Sequence, residues 1–141
     1  MSAPPRWRTA PPRWRTAPEC AFCGHRFVNV RGSADSRSRD HIIPQSWGGP
    51  NVEWNYRAAH VRCNGRRGVR MVEGDIQDLA RNLFWVLPAD YTEQDRIAIA
   101  RQIVEAFRVW NGLRRRKKVA IEEIPDIVRQ IRKGRFPWGT V

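Results

Sequence analysis

No stretch of this sequence is apolar for the roughly 20 residues that a membrane-spanning helix needs. The first residues are Pro, Arg and Trp rather than the apolar core of a secretory signal, so a cytoplasmic location is the expectation. Acid is scarce: 14 Asp and Glu stand against 26 Lys and Arg, for a net charge of +12. That imbalance points to a polyanionic partner, and the abundance of Arg suits bidentate contact with phosphate. The plainer alternative is a basic protein kept soluble by its charge or bound to an acidic partner. Cysteine is also scarce. Three is an odd number, which argues against a disulfide framework. No Cys or His lies outside residues 20–63, and that concentration implies one compact site.

Three segments follow in order. Residues 1–18 contain the heptad APPRWRT twice, at Ala3–Thr9 and Ala10–Thr16. Its prolines block backbone donors and favour extended chain, so a disordered arm is expected. The Arg-Trp-Arg units could touch phosphates and stack on bases, or the arm could be a plain low-complexity duplication. Residues 19–70 hold the chemistry. Phe27–Val30, Asp40–Ile43 and Tyr56–Ala59 are short strand candidates, and a short helix is expected over His60–Arg67 with Gly68 as its stop. Residues 71–141 read as a helical extension. Asp75 is the expected cap of a helix bearing Ile76, Leu79, Ala80, Leu83, Phe84 and Leu87. Thr92 and Asp95 form a capping pair for a longer helix bearing Ile97, Ala100, Ile103, Val104, Phe107 and Trp110. A last helix is expected to carry Ile124, Ile127, Val128 and Ile131, with Pro125 in its first turn.

Cys20 and Cys23 form one half-site for a metal, and His60 and Cys63 a second. Three thiolates and an imidazole suit tetrahedral zinc. His25 competes with His60 for the fourth place. A redox pair at Cys20–Cys23 would need a strand before it and a helix starting at it, whereas Pro18 precedes and Gly24 follows.

Asp40-His41-Ile42-Ile43-Pro44, Gly48-Gly49, Asn55, and His60-x-x-Cys63-Asn64-x-x-Arg67-Gly68 together resemble the HNH endonuclease family, the zinc-knuckle branch of the ββα-metal nucleases. The resemblance covers Cys20 to Gly68. It implies an α+β fold: a small ββα-metal core, here followed by helices and preceded by the arm. It also implies roles for single residues, in an H-N-N variant. His41 is the expected general base, and Asn55 orients it. Asp40 and Asn64 are the expected ligands of one catalytic cation, and oxygen ligands favour magnesium or manganese. Zinc on Cys20, Cys23, His60 and Cys63 is the expected structural metal. The implied activity is metal-dependent cleavage or nicking of DNA, leaving 5′-phosphate and 3′-hydroxyl ends. Small free-standing members are frequent in bacteriophages and prophages, which makes a phage origin an accompanying expectation. Arg66 and Arg67, and the run Arg114, Arg115, Arg116, Lys117 and Lys118, are the expected phosphate contacts. The alternative is a nucleic-acid-binding zinc-knuckle module without catalysis. Oligomeric state, target sequence and biological role are left open by the sequence.

Overall fold

The computed structural model describes residues 10–139. Its fold is α+β: an antiparallel two-stranded sheet and four helices. Strand β1 is Arg37–His41 and β2 is Tyr56–His60. Helix α1 is Val61–Arg67, α2 Glu73–Asn82, α3 Glu93–Leu113 and α4 Asp126–Arg132.

The ladder pairs Arg37 with His60 and His41 with Tyr56, and so sets Asp40 directly opposite Arg57. Side chains paired in this way share a face of the sheet. Helix α1 begins at the residue after β2, with His60 as the last strand residue and Gly68 (φ +61°) just past the helix end.

Strand β1 starts three residues earlier than expected and ends at His41. Its extension, Ile42-Ile43, leaves the ladder for the interior, and both residues are fully buried. They join Trp54, Leu79, Leu83, Ile103, Phe107, Val128 and Ile131 in one apolar core. That core crosses the expected boundary at residue 70, so the strand bearing His41 is anchored by the helices.

Phe27–Val30 does not form the expected strand. Glu19 and Arg26 make an isolated bridge, and the Val28 N–H donates to the Asp35 carbonyl at 3.1 Å. No ladder reaches this stretch, and its mixed residues gain no face to bury.

Helix α2 is capped one turn differently from expectation. Val72 is the cap residue, and Asp75 sits in the first turn with its carboxylate accepting from the Val72 N–H at 2.8 Å. In α3 the expected pair holds: the Asp95 N–H donates to Thr92 Oγ1 at 3.1 Å, and the Thr92 N–H to Asp95 Oδ2 at 2.8 Å. Pro125 precedes α4 as its cap residue rather than lying in its first turn.

Residues 1–9 of the expected arm lie outside the described residues. From residue 10 the arm lies against the domain. The Arg37 guanidinium donates to the Trp14 and Ala17 carbonyls at 2.9 and 2.5 Å, and the Arg13 guanidinium sits 4.5 Å over the Trp85 ring.

Candidate metal centre and active site

The corner between β2 and α1 gathers Cys20, Cys23, His60 and Cys63, with one ligand atom from each lying within 4.8 Å of the others. Cys20 and Cys23 reach the corner on a tight turn, closed by the Gly24 N–H on the Cys20 carbonyl at 2.9 Å. His60 faces the thiols through Nδ1, 3.3 Å from Cys23 Sγ and 3.8 Å from Cys63 Sγ. Its Nε2 lies 2.9 Å from the Arg26 carbonyl, which accepts only a proton-bearing nitrogen. That contact leaves the Nδ1 lone pair for a metal, the usual outer support of a ligating imidazole. His60 is therefore the fourth member of the set, and His25 is exposed outside it. The donor set fits structural zinc.

The thiols are not equivalent. Burial pushes the Cys20 thiol up, but the backbone N–H groups of Cys23, His60 and Phe22 pull harder and lower it to about 6. Burial, followed by contact with Cys20 and Cys23, pushes Cys63 up to about 11. The Cys20 thiolate is thus already favoured at neutral pH, and Cys63 holds its proton until a cation compensates it.

The second site is an open cleft of about 310 Å³ lined by Asp40, His41, Pro44, Gln45, Asn64 and Arg67, among others. The end of β1 supplies Asp40 and His41, and α1 supplies Asn64. The Asn64 Nδ2 donates to Ser38 Oγ at 3.3 Å and to the Arg39 carbonyl at 3.5 Å. Both contacts use the amide nitrogen, so Oδ1 is the atom left for a cation. The His41 ring packs edge-on against Tyr56, with centroids 5.0 Å apart.

Asp40 is only 3% exposed and is held by two arginines. Arg57 Nε donates to Asp40 Oδ2 at 2.7 Å, and Arg67 Nη1 lies 3.4 Å from Oδ1. Arg57 also donates to Asp75 at 2.6 Å and to Asp78 at 2.7 Å. Burial alone would lower the Arg57 value, but the charges of Asp40, Asp78 and Asp75 outweigh it and raise it. Arg57 and Asp78 escaped the sequence reading, which gives Asp75 only as a helix cap.

Asn55 is not placed as expected. It is fully buried, its Oδ1 accepts from the Ile43 N–H at 2.8 Å, and its Nδ2 donates to the Ile43 and Pro50 carbonyls at 3.1 and 3.0 Å. It clasps the loop after β1 instead of touching the imidazole. The contact with His41 comes from Asn51, whose Oδ1 lies 2.8 Å from His41 Nε2. The loop closes tightly at Gly49, where a Cβ would come within 2.0 Å of the Ile43 carbonyl oxygen.

The expected phosphate contacts divide in the same way. The Arg67 side chain turns inward, 7% exposed, and donates to the His41 and Ile42 carbonyls at 2.8 and 2.6 Å. Arg66 faces solvent. Arg114 donates to the Ser46 carbonyl at 2.8 Å and steadies the loop beside the cleft. Arg116 pairs with Glu123 at 2.9 Å. Arg115, Lys117 and Lys118 are exposed, with no ion pair among the described residues.

No helix among the described residues is long and apolar enough to cross a membrane. No curated protein and no solved structure matches the chain. Residues 20–70 match the family model described as HNH endonuclease, in agreement with the resemblance seen between Cys20 and Gly68.

Proposed function

We propose that the protein, whose residues 20–70 match the HNH endonuclease family model, hydrolyses phosphodiester bonds of DNA, with His41 as the general base. The observation that carries this reading is the convergence of His41, Asp40 and Asn64 on one open cleft beside a Cys3His cluster. A base, two oxygen donors and an entry for a strand meet there.

His41 accepts the proton of an attacking water, for which an imidazole near neutral pH is suited. Asn51 and Tyr56 hold the ring so that the proton moves along a fixed direction. Asp40 and Asn64 Oδ1 form an oxygen set suited to a single hard cation, magnesium or manganese. Such a cation, when bound, stabilises negative charge on the phosphoryl and leaving 3′ oxygens. The products are then a 5′-phosphate and a 3′-hydroxyl. Cys20, Cys23, His60 and Cys63 would hold the zinc, which would fix the start of α1 and through it the place of Asn64, the residue after Cys63. Arg66, Arg115, Lys117 and Lys118 are the exposed cations offered to the backbone, in contacts that position the nucleic acid without reading its sequence.

One observation favours a second reading, a binding module without catalysis: the Asp40 carboxylate already faces two arginines. Conversion of supercoiled plasmid to nicked or linear forms decides between them. Cleavage that needs Mg2+ or Mn2+ supports the enzyme. Binding without cleavage in either metal supports the module.

A further inference from the structure

Residue 70 ends the matched segment, yet the ion-pair cluster that holds Asp40 of the cleft is completed by α2, beyond it. Arg57 lies in β2 opposite Asp40. Each nitrogen of its guanidinium has its own carboxylate: Nε meets Asp40 Oδ2 at 2.7 Å, Nη2 meets Asp75 Oδ1 at 2.6 Å and Nη1 meets Asp78 Oδ2 at 2.7 Å. The guanidinium carbon sits 4.4 Å over the ring of Phe22, in the turn between Cys20 and Cys23. Asp75 is itself fixed, because its other oxygen accepts from the Val72 N–H and lies 3.6 Å from Arg67. Four segments therefore meet at one planar cation: β1, β2, the cysteine turn and α2.

We propose that Arg57 is a positioning residue of the cleft: braced on Asp75 and Asp78 of α2, it locks Asp40 Oδ2 and thereby presents Oδ1 as the oxygen offered to the cation. This inference rests on the nuclease reading above. The asymmetry at Asp40 supports it. Oδ2 has a short partner at 2.7 Å, whereas among the described residues Oδ1 has only the Arg67 contact at 3.4 Å. Shared charge alone would not need a fork. A lysine would supply the same charge from one point and could not hold three carboxylates in fixed directions. On this account α2 is part of the nuclease unit. It sets the cation ligand without touching the cleft.

The test is Mn2+ binding to the full-length, zinc-loaded protein without DNA, measured by the electron paramagnetic resonance of free Mn2+. Zinc content and thermal midpoint are recorded alongside. Loss of Mn2+ binding in Asn64→Ala identifies the site. Arg57→Lys is expected to bind Mn2+ roughly 10- to 100-fold more weakly, the usual effect of losing outer support for a metal ligand, with zinc content unchanged. Asp78→Asn removes a brace that does not touch Asp40 and is expected to weaken binding in the same direction. A folded Arg57→Lys that binds Mn2+ like the parent overturns the proposal. If that variant does not fold, Asp78→Asn with parental affinity overturns it instead. Tighter binding by Arg57→Gln overturns it too, since relief of charge alone would then explain Arg57. A parent that binds no Mn2+ fails at the underlying reading and takes this inference with it; a parent that binds and an Arg57→Lys that binds equally sink this inference alone.

Discussion

The Nε2 atom of His41 lies 2.8 Å from Oδ1 of Asn51. An amide oxygen only accepts, so this contact places the ring proton on Nε2 and leaves the Nδ1 lone pair able to accept a proton. The Gln45 side-chain amide donates to the same Oδ1 at 3.3 Å and fixes which end of Asn51 faces the ring. The loop that carries Asn51 is clasped in turn by Asn55.

Asn51→Ala removes the orienting contact from a partly exposed ring. The turnover number should fall about 10- to 100-fold, the size of effect expected from misplacing a reacting group. The thermal midpoint and zinc content should stay close to those of the parent. Steady-state nicking kinetics with a melting curve check this. Parental turnover would remove Asn51 from the account.

Asn55→Ala should behave in the opposite way. It leaves the Ile43 N–H and two carbonyls without partners in a buried place. A buried unsatisfied group costs about 1–3 kcal/mol, so chemical denaturation should show a loss of at least that size. A stable Asn55→Ala with specifically lowered turnover would return the orienting role to Asn55.

The thiols give zinc uptake a direction in pH. Zinc needs thiolates. At pH 7 Cys20, lowered to about 6, is already ionised, whereas Cys63, raised to about 11, must release its proton. Affinity measured against a chelator should rise between pH 6 and pH 8, with protons released on binding. Without metal the two thiols act in opposite senses. The folded value of Cys20 lies below its ordinary 9.0, so its contribution to stability is present above that value and is lost as pH falls through about 6. The folded value of Cys63 lies above 9.0, so its contribution is present below that value and is lost as pH rises through about 11. Zinc affinity that does not change with pH would contradict this picture.

Arg66 and Arg67 are neighbours with different expected effects. Arg66→Ala should weaken DNA binding at every sequence and lower the salt slope by about 1. Arg67→Ala should instead lower the thermal midpoint, because it removes the donor to the His41 and Ile42 carbonyls and to Asp40 Oδ1. Filter binding across a salt series separates the two. Equal salt slopes for Arg66→Ala and the parent would place the phosphate contacts elsewhere.

Much of this site is legible in the sequence because its parts are local. Asp40 and His41 are adjacent, His60 and Cys63 share one turn at the start of α1, and Thr92 and Asp95 cap a helix three residues apart. What escaped depends on distant segments meeting. Arg57 meets Asp75 and Asp78 only because α2 packs beside β2. The inward turn of Arg67 depends on carbonyls of β1 that no local pattern announces. Phe27–Val30 has a strand-like pattern but no partner ladder, and pattern alone does not supply one. The resemblance assigns the partner of His41 to Asn55, and no local pattern points to Asn51. The loop clasp decides between them, and it forms only in the folded chain.

The central claim is that His41 is the base of a metal-dependent nuclease. The most direct measurement is single-turnover plasmid cleavage by the parent and by His41→Ala, both zinc-loaded, at saturating Mn2+. His41→Ala is expected to keep its zinc and its DNA affinity while the cleavage rate falls by about 100- to 10,000-fold, the range general-base catalysis contributes. Cleavage by His41→Ala at the parental rate would contradict that claim.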